Sequence, residues 1–272
     1  MRDNTIPRYG RLVIPREKRK HSLLSPFLLT PTRRDSLTPV AVTDSDGIWH
    51  PNEDIKSLLT IVKAIENKVD EVVDYLIENG ADINAQDKYG MTALHHTAIR
   101  GNRKALQRLL STPGIIKEPR DAQESTPLHL AATYNQPNIV KILLNEGNAN
   151  PRAFDNDLRT PLHEACQEGN TLVATTLLEG AKDKFGPAFV KTMVHERDEG
   201  GATSLLLAVG KGGTEIVRLL LLNHANPNQR NKQNVFPVHS AARTGNLDTL
   251  QILCQVKEFL ILGYIIKVHI PI

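Results

Sequence analysis

The chain has 272 residues, 40% hydrophobic and 23% charged, enough for a folded core in one large domain or an extended array. Aromatics are only 4%, low for a β-sandwich or barrel, so Leu, Ala, Ile and Val must fill the core, which favours packed helices. A formal net charge of +3 gives no ground for nucleic-acid binding, and two cysteines, Cys166 and Cys254, make no disulfide framework and fit a reducing cytosol.

Residues 1–54 hold Pro7, Pro15, Pro26, Pro31, Pro39 and Pro51 among Ser, Thr and clustered basic residues. No helical or strand period runs through them, and the segment is expected to be disordered. Its start, "MRDNTIPRYGRLVIPREKRK", has charges and prolines where a secretory signal has an apolar stretch. "REKRK" (16–20) fits a nuclear localisation signal or an acidic-lipid contact, but a solvated basic tail is the plainer reading. Ser36, in "RRDSLTP", stands in a context a basophilic kinase would accept.

A repeat occupies residues 55–256. "TALH" starts at Thr92, "TPLH" at Thr126 and Thr160, "TSLL" at Thr203 and "FPVH" at Phe236, so the steps are 34, 34, 43 and 33 residues. One more period back lies "LTIVKAIENKVDEVVDYLIENGADIN" (59–84), which lacks the motif but keeps an amphipathic run and the "NGADIN" ending. That makes about six units, starting near 59, 92, 126, 160, 203 and 236. In the units at 92, 126, 160 and 203 Thr supplies an N-cap hydroxyl, and Pro127, Pro161 or Pro237 suits the first helical position, where a missing N–H costs nothing. A short helix with small Ala residues follows. It stops at Gly101, Asn135, Gly169, Gly212 or Gly245, and a second helix begins, as in "NIVKILLNE" (138–146), "DEVVDYLIEN" (70–79), "TEIVRLLLL" (214–222) and "LDTLQILC" (247–254). Polar turn formers link the units: "DKYG" (87–90), "RDAQES" (120–125), "FDNDLR" (154–159) and "RNKQNV" (230–235). One helix pair cannot bury its apolar face alone, so the pairs are expected to stack.

Two stretches depart from the period. The long step holds an insertion, 180–202, in which Phe189, Met193 and Val194 of "AFVKTMVHER" have helical spacing, so an added short helix is expected. After about Gln255 the repeat stops, and "VKEFLILGYIIKVHIPI" (256–272) is apolar and β-prone where an array normally has a polar capping unit. Its longest apolar run, 259–272, includes Lys267 and His269 and is shorter than a membrane span. The expectation from this tail, 257–272 in the unit division, is a truncated or mis-spliced product of a longer protein.

No constellation of residues carries chemistry. His95, His129, His163 and His239 recur at one place in their units, about 10 Å apart if the helices stack, too far to share a metal. They are expected to lock the turn together with Thr92, Thr126, Thr160 and the prolines, by hydrogen bonds to Thr and to loop backbone. "GKGGTE" (210–215) lacks phosphate-loop order and "DNDLR" (155–159) lacks the calcium-loop Gly and Glu, so both are read as turns. Cys166 takes the place of a small core residue, and Cys254 ends a second helix; both are read as structural. No catalytic residue, metal or cofactor is expected. What remains is a protein-binding surface on the finger loops, at Tyr89, Phe154, Arg159 and Arg230, and on the concave helix face, at His96, Leu130 and Glu164.

A 33-residue period with T-P-L-H-x-A is the ankyrin signature, and the units resemble ankyrin repeats. That resemblance implies an all-α ankyrin-repeat solenoid of stacked helix pairs with β-turn fingers. "DKYGMTALHHTAIRGN" (87–102), the insertion after the fourth unit and the run 197–246 are similar, more narrowly, to the N-terminal array of the transient receptor potential ankyrin subfamily of cation channels. This resemblance spans about residues 59–256. It implies a cytosolic array that meets other proteins, neighbouring channel subunits among them, ahead of membrane helices this chain does not contain. The alternatives are a free-standing adaptor, cytoplasmic or nuclear, and an ankyrin targeting module of an enzyme subunit.

Overall fold

The computed structural model describes residues 53–255, with side chains from residue 58. The basic cluster "REKRK", Ser36 and the tail 257–272 lie outside the described residues.

Helices come in pairs. They are α1 (Glu53–Glu66) with α2 (Asp70–Glu78), α3 (Ala93–Arg100) with α4 (Arg103–Ser111), and α5 (Pro127–Thr133) with α6 (Pro137–Asn145). Next come α7 (Pro161–Glu168) with α8 (Thr171–Phe185) and the added α9 (Pro187–Met193), then α10 (Ser204–Lys211) with α11 (Thr214–Leu222). The last pair is α12 (Pro237–Thr244) with α13 (247–255). First helices pack in one row, α1 on α3, α5, α7, α10 and α12 in turn; second helices form the other, α2 on α4, α6, α8 and α11. The fold is an all-α solenoid, and among the described residues the only β pairing is an isolated bridge between Arg197 and Thr203.

The same local signals start and stop each first helix. Thr92, Thr126, Thr160 and Thr203 are extended N-caps. A left-handed residue ends each motif-bearing first helix, directly after it in Gly101 (φ 67°), Gly169 (80°), Gly212 (85°) and Gly245 (68°), and one residue later, after Tyr134, in Asn135 (54°). Asn tolerates that conformation better than any other residue with a Cβ, which explains the lone Asn135 in a glycine series.

The core lies between the rows and between successive units. Leu94, Leu128, Leu162 and Leu205, one per unit, are 0–1% exposed, and Ala98, Ala132, Cys166 and Val209, four residues on, are fully buried. Second helices contribute Leu106 and Leu109, Ile139 and Leu143, Val173 and Leu177, Ile216 and Leu220. Each fully buried Leu or Ile contributes about 1.5–3 kcal/mol, and the burial is shared between the partner helix of the same unit and the neighbouring units.

Two boundaries differ from the sequence reading. Helix α1 begins at Glu53, inside the segment read as disordered, and with 14 residues is longer than any other first helix. The insertion forms α9 as the spacing indicates, but it also lengthens α8 to 15 residues, against nine in α4, α6 and α11. Ala174, Leu177, Leu178 and Ala181 keep one buried stripe going along α8, so nothing ends that helix until Gly186. Phe185 and Phe189 stack across this turn, with ring centroids 4.5 Å apart.

Candidate functional site

The recurring histidine closes a capping box in which it replaces the usual Glu or Gln. The Thr126 N–H donates to His129 Nδ1 (3.1 Å), and the Thr126 hydroxyl lies 2.9 Å from the same nitrogen. The backbone N–H fixes Nδ1 as the acceptor, so Nε2 carries the proton and donates to the Arg159 carbonyl (3.0 Å), 30 residues on, in the next unit. His95 repeats the arrangement with Thr92 and the Ser125 carbonyl, and His163 with Thr160 and the Glu196 carbonyl. All three are 0–1% exposed. Burial lowers the pKa of His129 and of His163 to about 4, against the hydrogen bonds from the ring to the next unit's backbone; burial lowers that of His95 as well. With one ring nitrogen accepting from backbone and the other donating, no lone pair is left for a metal or a substrate proton. The histidines join units.

The series breaks twice. Leu206 holds the histidine's place in the fifth unit, where Thr203 Oγ1 accepts from the Leu206 N–H (3.4 Å) and the Ser204 hydroxyl is buried with no partner among the described residues. His239 is exposed, its Nδ1 accepts from the Phe236 N–H at 3.5 Å, and its Nε2 reaches no described residue. The equivalence of His239 with the other three therefore holds in sequence but not in burial.

The fingers are built on one carboxylate or amide each. Asp87 Oδ1 accepts from the N–H groups of Tyr89 (2.8 Å) and Met91 (3.0 Å). Asp121 does the same for Gln123 and Ser125, Asp155 for Asp157 and Arg159, and Asn231 for Gln233 and Val235. Asp198 accepts from Ala202. Burial pushes the Asp155 and Asp198 carboxyls above their ordinary pKa. At Asp87 burial acts in the same sense, but the bonds from His96, Met91 and Tyr89 together outweigh it and hold the carboxyl low. Successive fingers are stitched by backbone bonds: Ala122 N–H to Tyr89 C=O (2.9 Å), Asn156 to Gln123 (3.0 Å), Glu199 to Asp157 (2.7 Å) and Lys232 to Gly200 (2.9 Å).

A side-chain ladder runs beside this one. Gln86 donates to the Arg120 carbonyl, Arg120 to the Phe154 carbonyl and Arg197 to the Arg230 carbonyl. Phe154 occupies the same place in its finger, has no side-chain donor, and is 37% exposed. Four residues later Leu158 is 50% exposed at φ 56°, where the other fingers have Gly90, Glu124, Gly201 and Asn234. Tyr89 is 42% exposed on the first finger, and Arg230 is exposed on the last.

The concave-face residues are placed differently from the sequence reading. Leu130 is 9% and Glu164 4% exposed, buried by neighbouring first helices. The Glu164 carboxylate takes the Thr133 hydroxyl (3.3 Å) and faces Arg159 Nη1 (3.5 Å), so Arg159 is turned into the stack and not out from its finger. His96 Nε2 lies 3.1 Å from Asp87 Oδ2, with its side chain 13% exposed. Glu164 serves the interior because Thr133 stands one unit away, a contact no short window of sequence contains, whereas His96 is drawn in by Asp87 of its own finger, nine residues earlier. Leu158 was missed, although a Leu at a turn place otherwise filled by Gly, Glu or Asn is a legible anomaly. Cys166 is fully buried, which pushes its thiol pKa well up, whereas Cys254 is exposed and so has no packing role.

The family model "Ankyrin repeats (3 copies)" matches residues 61–155, 115–187 and 181–260. The chain is 31% identical over 179 residues to human transient receptor potential cation channel subfamily A member 1, covering 65% of this chain and 15% of that protein. It is 32% identical to mouse Rabankyrin-5, over 60% of this chain and 13% of that one. It is 29% identical to the probable 26S proteasome regulatory subunit p28 of Saccharomyces cerevisiae, over 59% of this chain and 68% of that one. The chain thus spans about a seventh of the first two relatives.

Proposed function

The chain belongs to the ankyrin-repeat family, and on that premise we propose that it is a non-enzymatic protein-binding solenoid whose contact surface is the finger row, centred on Phe154 and Leu158. One observation carries the reading. The ring nitrogens of the buried histidines are committed to the stack, while Tyr89, Phe154 and Leu158 present apolar surface on the fingers. Exposed aromatic and aliphatic side chains on a rigid loop row lose little entropy on docking and dominate interface energy. Leucine at φ 56° also costs about 1 kcal/mol against glycine, a cost that fits a residue kept for contact.

The specific setting proposed is the cytosolic ankyrin region of a transient receptor potential ankyrin-type cation channel subunit, placing the chain on the cytosolic side of a membrane with neighbouring subunits among its partners. The identity to the human channel protein and the similar run 197–246 support this. A free-standing adaptor is the second reading. It is favoured by the match to the yeast p28 subunit, most of whose length the shared region covers. Among the described residues no helix is long and apolar enough to cross a membrane.

The test is cross-linked capture from cells with the wild-type chain and with the Tyr89→Ala, Phe154→Ala, Leu158→Ala triple variant, matched for thermal stability. The triple variant is expected to lose most captured proteins; an unchanged set refutes the finger surface. Sequencing the transcript past the Gln255 codon separates the settings, since only the channel reading requires membrane helices downstream.

A further inference from the structure

Four positions that most internal units bury lie open in the last one. Val238 aligns with Leu94, Leu128, Leu162 and Leu205, all 0–1% exposed, but is itself 38% exposed. His239 and Ala242 are exposed, while their counterparts His129 and Ala132 are sealed. Cys254 aligns with Leu110, Leu144 and Leu178, which are 7%, 1% and 2% exposed, and with half-buried Leu221 of the fifth unit, and is itself exposed. Both inter-unit ladders also end here. The Gln233 carbonyl is the place that Tyr89, Gln123, Asp157 and Gly200 fill earlier in the row, and no described N–H donates to it. His239 Nε2 has no described carbonyl to meet, unlike His95, His129 and His163.

We propose that the face formed by Val238, His239, Ala242, Cys254 and the Gln233 carbonyl is a docking face for one further helix–loop–helix unit of the same kind. That unit would seat its finger N–H on the Gln233 carbonyl and its finger-base carbonyl on His239 Nε2–H. The occupant follows from continuity with an interface the molecule already repeats, because the exposed side chains and both free hydrogen-bonding groups stand in the register that the earlier units use on each other. Small Ala242 and unbranched Cys254 leave room for a neighbouring helix, as Ala132 and Leu144 do inside the stack. The inference is independent of what the fingers bind.

The test inserts residues 112–145, a cysteine-free unit of this chain, between Gln255 and Val256, leaving every native residue in place. Native-state labelling with 5,5′-dithiobis(2-nitrobenzoate) reads Cys254, since Cys166 is sealed in both chains. In the extended chain Cys254 is expected to react roughly tenfold or more slowly, as a thiol reached only through local opening does. His239→Ala is expected to lower the urea midpoint of the extended chain and to leave that of the parent unchanged. A second insert, residues 146–179 carrying Cys166→Ala, guards against one unit failing to order. Equal Cys254 reactivity and equal His239→Ala effects with both inserts, or failure of both to order, overturn the proposal. So does a parent chain that already protects Cys254, either as a dimer in sedimentation or only while residues 256–272 are present, because the face then has another occupant.

Discussion

Replacing His129 by Ala tests how the stack is held. The ring is 1% exposed and its two nitrogens make three contacts: Thr126 N–H at 3.1 Å, Thr126 hydroxyl at 2.9 Å and Arg159 carbonyl at 3.0 Å. The losses are unequal. The Arg159 carbonyl still accepts from the Asp155 N–H at 3.0 Å, and the hydroxyl can turn, but the Thr126 N–H is left buried with no acceptor. A stranded buried donor costs about 1–3 kcal/mol, and the emptied ring volume pushes the total toward the upper end. For an array of this length about 2 kcal/mol lowers Tm by roughly 4–8 °C. The assay is urea and thermal unfolding followed by far-ultraviolet circular dichroism. His239→Ala is the internal control, because His239 is exposed, makes one hydrogen bond at 3.5 Å and meets the Phe236 ring edge-on with centroids 5.3 Å apart, so its loss is worth less than about 1 kcal/mol. Equal midpoints for His129→Ala and wild type, or equal losses for the two variants, refute the reasoning.

Acid should weaken the array through the same residues. His129 and His163 titrate near 4 when folded and near 6.5 when unfolded, so between those values the unfolded chain binds more protons. Stability is then complete above pH 6.5 and falls as pH drops toward 4, by about 1.4 kcal/mol per pH unit for each histidine. His129→Leu, which copies the native Leu206, removes one histidine's share of that slope; an unchanged slope in urea titrations at pH 4.5–6 contradicts it. The close approach of fingers predicts that Gly90→Ala destabilises more than Gly80→Ala. Both are left-handed, but a Cβ on Gly90 meets Ala122 N at 2.8 Å and one on Gly80 meets nothing within 4 Å. The difference should be about 1 kcal/mol or more in urea midpoints, and equal losses exclude the steric account. Ser204→Ala removes a buried hydroxyl that has no partner among the described residues, at a place where other units have Ala or Pro, and should leave stability unchanged or raise it by about 1 kcal/mol. A loss of more than that amount would reveal an unseen partner for Ser204.

The parts legible in the sequence are those whose cause lies within a few residues. Thr at the cap, Pro in the first turn, Gly or Asn after the helix and apolar residues at helical spacing all act over one or two turns, so the helix pairs of the units beginning near 92, 126, 160 and 203 could be read directly. The Asp or Asn opening each finger is local in the same way. What the sequence could not show is which side chains a neighbouring unit covers. Glu164 and Leu130 look like surface residues of a seven- or eight-residue helix, and only the stacked helices on both sides bury them. The His129 ring is recognisable from its motif, yet its second partner sits 30 residues away and exists only because the next finger lies against it. His239 has the same local sequence and is exposed, because a histidine's role here is set by the presence of a neighbour and not by its own unit. Sequence by itself determined the unit, its period and its caps, since these follow from short-range geometry. The stack alone decided burial, the joining bonds and the open last face, since those arise from contacts between units about 33 residues apart.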